Sequence, residues 1–142
     1  MKISLLLTTT FVALFSAAAL SQVKSGSITT KNTDYIEALS VADQFMRDWQ
    51  WRDQDDGFSL ISDSLKSKES EDDLRMYISG LSNPHHEAYE IYSGSRLPDG
   101  RISFKVKMYE SYTSYPNVYS EGPTTIIISK SAQGKWLVDK LP

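Results

Sequence analysis

Residues 101–112, RISFKVKMYESY, alternate between apolar and polar side chains more regularly than any other stretch of this 142-residue chain. One set of alternate positions holds Ile102, Phe104, Val106 and Met108, and the other set begins with basic and small polar residues. Successive side chains of a strand point to opposite faces of a sheet. The pattern therefore predicts a β-strand with one face in a core and a basic face toward solvent, and it requires other elements to cover the apolar face.

The first 21 residues predict a signal peptide rather than a part of the folded domain. Lys2 is followed by an uncharged apolar run, residues 3–20, that ends in small residues. The small residues fit a cut after Ala19 or after Ser21. An uncleaved membrane anchor is the alternative, but three threonines and the small-residue end favour cleavage. We therefore expect an exported protein, periplasmic or secreted, with no membrane span after cleavage.

The chain has no cysteine, although export would place it where disulfides form. The missing thiol excludes cysteine–zinc sites, a cysteine nucleophile and lipid attachment to a cysteine. Hydrophobic residues make up 40% of the chain and charged residues 23%, which is typical of one globular domain. We assign the polar residues 22–33 to a flexible leader and residues 34–142 to a single domain.

Acidic residues are concentrated in the first half of the expected domain. Residues 34–73 contain twelve acidic and four basic residues, whereas residues 74–142 contain six acidic and eight basic residues. The whole chain has a formal net charge of −3, and loss of Lys2 with the signal peptide makes that charge more negative. Because nucleic-acid binding requires a coherent basic surface, this distribution excludes a nucleic-acid partner.

Apolar residues at three- and four-residue spacing predict a first helix over residues 34–52. Two shorter helices follow, one over residues 57–65 and one that Ser70 caps, with Gly80 in the left-handed conformation at its end. The predicted buried stripe of the first helix consists of Ile36, Leu39, Ala42, Phe45, Met46 and Trp49.

Residues 53–57, DQDDG, separate the first two helices and have the composition of a calcium loop. An EF-hand loop has glycine at its sixth position and glutamate at its twelfth. Here Gly57 is fifth and Ser64 is twelfth, counting from the first aspartate. We therefore interpret the break as an acidic helix N-terminus, with Asp55 or Asp56 as the cap.

Four strands follow the helices. We place them at residues 87–92, 101–112, 124–130 and 136–141, with a hairpin turn at residues 97–100 and a loop at residues 114–123. The run of Ile126, Ile127 and Ile128 predicts that the third strand is buried on both faces. Because helices and strands are segregated along the chain, the predicted fold class is α+β, with N-terminal helices packed on a curved four-stranded antiparallel sheet.

Two segments carry a resemblance to a known family. They are FMRDWQWRDQDDGFSLIS, residues 45–62, with its aromatic stripe and acidic break, and GKWLVDKL, residues 134–141. Together with the order of elements, they resemble the nuclear transport factor two-like family, a cystatin-like α+β roll. The resemblance implies a curved sheet that wraps the helices and leaves a cone-shaped pocket. Enzymes of this family carry an aspartate base and a tyrosine or acid donor there, but no pair in this chain matches them.

Half of the eight tyrosines lie within eleven residues, around the loop that follows the opening strand. Tyrosine presents a rigid apolar surface with a polar tip, which favours it in recognition sites. Packing of these rings over the sheet is the alternative, since aromatic area is more often buried than bound. The candidate binding residues are Tyr109, Tyr112, Tyr115, Tyr119, Lys105 and Lys107.

The remaining candidates for chemistry are weaker. His85 and His86 are the two histidines, and neighbouring residues of a strand point apart, so we expect one packed ring and one solvated ring rather than a metal site. Trp51 is expected to pack on the second helix, with the pocket mouth as the alternative. Tyr89, Tyr109, Asp53 and Glu90 are possible acid or base groups of a pocket, and spacing selects none of them. No catalytic residue, metal or cofactor is assigned.

We therefore expect a non-catalytic domain that binds a protein or peptide partner, or a small apolar ligand, through its pocket or its tyrosine-rich loop. One alternative is an isomerase- or hydratase-like enzyme with a carboxyl group of raised pKa at the pocket floor. Another is an interaction or inhibitory module that acts by edge-strand addition. A homodimer is compatible with each of these functions.

Overall fold

The structure is a computed structural model that describes residues 30–120 and 122–142, so the predicted signal peptide and most of the predicted leader lie outside the described residues. Within that part of the chain, four helices precede five strands, which confirms the predicted α+β class. The helices are α1 (Thr30–Trp51), α2 (Gln54–Ser59), α3 (Asp63–Lys66) and α4 (Glu71–Ser79). The strands are β1 (His85–Arg96), β2 (Ile102–Tyr112), β3 (Tyr115–Tyr119), β4 (Thr124–Lys130) and β5 (Trp136–Lys140).

The strands form one antiparallel sheet in the order β1-β2-β4-β5, and β3 pairs with β2 outside this path. The first half of β2 pairs with β4, as far as Val106 opposite Thr124. The second half pairs with β3, where Glu110 is opposite Tyr119. The short β3 lies inside the predicted loop, so the sheet has one strand more than the sequence predicted. As a result, β2 continues well beyond the point at which β4 begins.

The core lies between α1 and the inner face of the sheet. Ile102, Phe104 and Val106 are buried there, as the alternation of β2 predicted. The predicted stripe of α1 is buried from Ala42 onward, whereas Leu39 is half-buried and Ile36 is 57% exposed, and both line a groove beside β1. On β4, the side chains alternate, so Ile126 and Ile128 are buried and Ile127 is half-buried on the outer face.

The predicted second helix is wrong over residues 60–62, where the chain forms a short extended pairing instead. Ser62 N donates to Val138 O at 2.8 Å, and Val138 N donates to Leu60 O at 2.8 Å. These bonds satisfy main-chain groups on the outer edge of β5, which a continuous helix would leave unpaired. The helix is therefore divided into α2 and α3, and one edge of the sheet is covered.

Local capping sets most of the helix boundaries. The side chain of Ser70 accepts from Asp73 N, as the sequence predicted, whereas Gly80 ends α4 with a φ of +62° and a ψ of 179°, which is not the predicted left-handed helical cap. Asp53 rather than Asp55 or Asp56 caps α2, so the acidic break is a helix N-terminus. No helix in the described part of the chain combines the length and the apolar character that crossing a bilayer requires.

Candidate functional site

The far end of β2 lines an open cavity of about 380 Å³. Beyond Val106, the inner-face side chains of β2 line this space together with residues of α4, β3 and the start of β4. We call this space the tyrosine cavity, and its walls include Tyr77, Met108, Glu110, Tyr112, Tyr119 and Thr124. The cavity therefore lies between the helical layer and the extended end of the sheet.

Tyr77 of α4 forms the inner wall of the tyrosine cavity. Its hydroxyl donates to the main-chain oxygen of Pro142 at 3.3 Å and lies 3.8 Å from the sulfur of Met108. Burial raises the pKa of Tyr77 far above its ordinary value of 10.0, and the negative charge of Glu110 raises it further. Tyr77 is therefore a neutral hydrogen-bond donor, and the field of Glu110 reaches across the cavity.

Two of the predicted binding tyrosines meet at the mouth of the tyrosine cavity. The ring centroids of Tyr112 and Tyr119 are 6.2 Å apart at an interplanar angle of 78°, which is an edge-to-face arrangement. Both rings remain substantially exposed, so their faces are available for contact. The side chain of Tyr115, another predicted binding residue, lies outside the described part of the structure.

The other three predicted binding residues lie on the opposite face of the sheet. Lys105, Lys107 and Tyr109 occupy the alternate positions of β2, which point away from the helices. The ammonium group of Lys107 lies 4.9 Å from the centroid of Tyr109. The five predicted binding residues whose side chains are described therefore belong to two surfaces rather than one, because the two-residue period of a strand separates the residues of β2.

Sequence reasoning missed the two inner polar groups of the tyrosine cavity. Glu110 continues the apolar series of β2 and so places a carboxyl group on the inner face. That register was visible in the sequence and would have identified the residue. For Tyr77, only the course of β2 and the chain end shows that its hydroxyl borders a cavity.

The histidines have separate structural roles. His86 Nδ1 lies 2.6 Å from the main-chain oxygen of Trp49, and His85 Nε2 lies 3.2 Å from the hydroxyl of Thr113. Burial lowers the pKa of His86, and the positive charge of Arg52 lowers it further. Within residues 30–120 and 122–142, no group of three or more His, Cys, Asp or Glu side chains has the geometry to hold a metal ion.

A second concave surface, which we call the helix groove, runs between α1 and β1 and encloses about 750 Å³. The Tyr89 hydroxyl donates to Asp43 Oδ1 at 2.8 Å, and the amide of Gln50 donates to Glu87 O at 2.7 Å. Burial and the bond to Asp43 raise the pKa of Tyr89 to about 12. Tyr89 and Gln50, two polar side chains of the helix groove, are thus already hydrogen-bonded within the domain.

The residues proposed as acid or base groups do not share one cavity. Asp53 caps α2, Tyr89 lines the helix groove, and Glu90 faces the outer side of the sheet opposite Lys107. Tyr109 also lies on that outer side. The structure therefore brings none of these four side chains into the tyrosine cavity.

Two further side chains differ from expectation. Trp51 is 76% exposed, so the prediction that it packs on the second helix is wrong. Asp48 is 5% exposed, and burial raises the pKa of its carboxyl group. It is a buried carboxyl group of raised pKa, but it lines neither the tyrosine cavity nor the helix groove.

Comparisons of the chain with protein-family models, with curated proteins and with solved structures give no match. The class that the structure itself defines is an α+β domain whose helices cover one part of an antiparallel sheet. The far end of β2 in that sheet borders a cavity with tyrosine side chains and one carboxyl group.

Proposed function

We propose that this protein is an exported, non-catalytic binding domain, related to the nuclear transport factor two-like family, that holds a small amphipathic ligand in the tyrosine cavity. The observation that carries the proposal is the extension of β2 beyond the core, which exposes aromatic faces beside a few polar groups. A signal-peptide pattern in residues 1–21 supports export.

The dimensions of the tyrosine cavity suit a small ligand. Its volume of about 380 Å³ lies within the range of about 300–1,000 Å³ that is usual for small-molecule sites. Met108, Tyr112 and Tyr119 supply apolar contact, and the hydroxyl of Tyr77 and the carboxyl group of Glu110 supply orientation. This is the usual composition of a ligand site, in which few polar groups are set among apolar ones.

A ligand screen by NMR tests the proposed function. We expect small amphipathic compounds to shift amide signals of β2, β3 and the start of β4. Tyr119→Ala should abolish these shifts with little change in melting temperature, because the ring is exposed. Tyr92→Ala is a matched control, since Tyr92 is 51% exposed against 53% for Tyr119 but lies outside the cavity. Compounds that bind elsewhere, or that bind Tyr119→Ala unchanged, would contradict the proposal.

An enzymatic function is the second candidate, because Glu110 and the neutral hydroxyl of Tyr77 border the same cavity. A carboxylate base and a neutral phenol donor together suit proton abstraction next to a carbonyl group. We would incubate the protein with small ketones in deuterated water and follow deuterium incorporation by NMR. Deuterium incorporation that Glu110→Gln abolishes would favour an enzymatic function. The absence of incorporation into these ketones would contradict proton abstraction by Glu110.

Edge-strand addition has a structural basis at β1. Among the described residues, no strand pairs with the outer edge of β1, whereas residues 60–62 cover the opposite edge of the sheet. Register shifts next to Ala88 and Ser93 oppose such pairing, because bulges distort an edge. Hydrogen exchange of β1 amides with an extended peptide tests this alternative. A concentration-dependent dimer that protects the same amides would instead indicate pairing between two copies.

A further inference from the structure

We infer that the ligand of the tyrosine cavity is an organic cation, namely an amine or a quaternary ammonium compound with an apolar body. This inference rests on the proposed binding function and adds the chemical class of the ligand. Three features of the described residues carry it: the arrangement of two tyrosine rings, the sign of the charge in the cavity, and the distribution of charge over the domain.

The two rings at the cavity mouth can share one cation. The negative face of an aromatic ring attracts a cation that lies within about 6 Å of its centroid. Since the centroids of Tyr112 and Tyr119 are 6.2 Å apart, one ammonium group can lie within that distance of both. The rings are nearly perpendicular, so two sides of the group are lined by aromatic carbon.

The charge inside the tyrosine cavity has the sign that a cation requires. Among its described lining residues, Glu110 is the acidic side chain and there is no basic one. Glu110 and the hydroxyl-bearing Tyr77 line the same cavity, so the carboxyl group of Glu110 lies beside the aromatic walls. A carboxylate beside aromatic faces provides both charge pairing and cation–π attraction, whereas it would repel an anionic ligand.

The basic side chains of β2 do not oppose this field directly. Lys105 and Lys107 lie on the outer face of the sheet, on the opposite side from Glu110. Residues 74–142, which supply the cavity lining, hold six acidic and eight basic residues, but residues 34–142 together hold eighteen acidic and twelve basic residues. An excess of acidic residues raises the local concentration of cations and lowers that of anions.

A pair of probes of equal shape separates charge from fit. Choline carries a quaternary nitrogen, and 3,3-dimethylbutan-1-ol has the same outline with a neutral carbon at that position. Each probe is titrated into the ¹⁵N-labelled domain to about 20 mM, because weak single-site contacts have millimolar affinity. We expect choline to shift amides of β2 and β3 and to bind about tenfold more tightly than the neutral probe.

Variants with matched controls locate the effect. Tyr119→Ala and Glu110→Gln should each weaken choline binding by about fivefold or more, while Glu110→Gln leaves the affinity of the neutral probe unchanged. The control for Tyr119→Ala is Tyr92→Ala, and the control for Glu110→Gln is Glu90→Gln on the outer face. Both control variants should retain the affinity of the parent for choline.

Each outcome of these titrations supports or contradicts the cation inference, the proposed binding function, or both. Equal affinity of the two probes at the cavity would overturn the cation inference and leave the proposed binding function intact. If neutral compounds from the ligand screen shift cavity amides and choline shifts none, the cation inference is likewise overturned and the proposed binding function is retained. Failure of every compound at the cavity would overturn both. Preference for choline that the cavity variants remove and the controls retain supports the inference.

Discussion

The imidazole of His86 stacks on the indole of Trp49, with ring centroids 4.0 Å apart and an angle of 12° between the planes. Nδ1 of the same ring lies 2.6 Å from the main-chain oxygen of Trp49, and since a carbonyl only accepts, Nδ1 is the donor. A Cβ on Gly80 would lie 3.0 Å from Nε2, so the absence of a side chain there makes room for the ring. The contact joins the end of α1 to the start of β1.

This contact predicts a loss of stability on mild acidification. Burial lowers the pKa of His86 below its ordinary value of 6.5, so protons bind the unfolded chain more readily. The stabilisation is fully present above about pH 6.5 and is lost as the pH falls through that value toward the lower pKa of the folded state. His86→Gln should flatten the free energy of unfolding between about pH 7 and pH 5, as measured with urea.

His85→Gln is the control for the acidification experiment, because His85 is an exposed neighbour on the same strand. That variant should keep the pH dependence of the parent. If His86→Gln keeps it as well, the stacked ring does not cause the dependence. Arg52 reinforces the effect, since its guanidinium group donates to Leu81 O and Pro84 O beside the ring and carries a positive charge.

Asp48 predicts a pH effect of the opposite sign. Burial raises the pKa of its carboxyl group, the bond from Gln44 lowers it, and Asp56 and Asp53 raise it again. The folded state therefore holds this proton more tightly, and its stabilisation is lost as the pH rises through the folded pKa. Asp48→Asn keeps an acceptor for Gln44 and should make unfolding less dependent on pH above about pH 4. Glu69→Gln changes an exposed carboxyl group and should leave the pH dependence of unfolding unchanged. Equal curves of unfolding free energy against pH for the two variants would contradict the prediction.

Gly94 predicts a steric limit in the core. A Cβ at this position would lie 2.5 Å from the ring of Phe104 and 2.5 Å from the hydroxyl of Tyr35. Because neither ring can retreat without moving β2 or α1, Gly94→Ala should destabilise the domain by about 2–3 kcal/mol. Thermal unfolding measures the change, and Gly122→Ala serves as the control, since a Cβ there meets no atom within 4 Å. A loss below about 0.5 kcal/mol in Gly94→Ala would show that the core can adjust.

Ser62 caps α3, and removal of its hydroxyl should lower the free energy of unfolding more than removal of an exposed cap. Its hydroxyl accepts from Leu65 N at 3.1 Å and donates to Asp139 Oδ1 at 2.9 Å, and the side chain is buried. Ser62→Ala removes both bonds and should cost about 2 kcal/mol, because buried polar groups then lack partners. Ser70→Ala removes an exposed cap of the same type and should cost about 1 kcal/mol. Equal losses in urea unfolding would show that the bond to Asp139 adds nothing.

Much of the fold was predictable because it depends on periodicity. The two-residue alternation of β2 and the helical spacing of α1 each select a buried face, and the structure buries Phe104 and Phe45 accordingly. The ends of α4 at Ser70 and Gly80 were predictable because capping is a local property. Residues 60–62 were not, since their extended conformation depends on main-chain groups of β5 that lie far away in the sequence.

The candidate site was predictable only in part. Clustering of tyrosines indicated Tyr112 and Tyr119, which do meet at a cavity. The same reasoning joined them to Tyr109 and Lys107, which the pleat of β2 directs to the other face. On α1, Ile36 was predicted to be buried and is exposed, whereas Asp48 is buried beside Gly57 of α2.

The sequence by itself determined that helices precede strands and that residues 102, 104 and 106 of β2 face a core, because side-chain period and polarity decide these features locally. Only the tertiary structure decided that β4 pairs with β2 as far as Val106 and that β3 pairs with the rest of β2. That decision depends on the lengths and crossing points of elements distant in the chain. It places the inner face of residues 108–112 opposite Tyr77 of α4, and the tyrosine cavity lies between them.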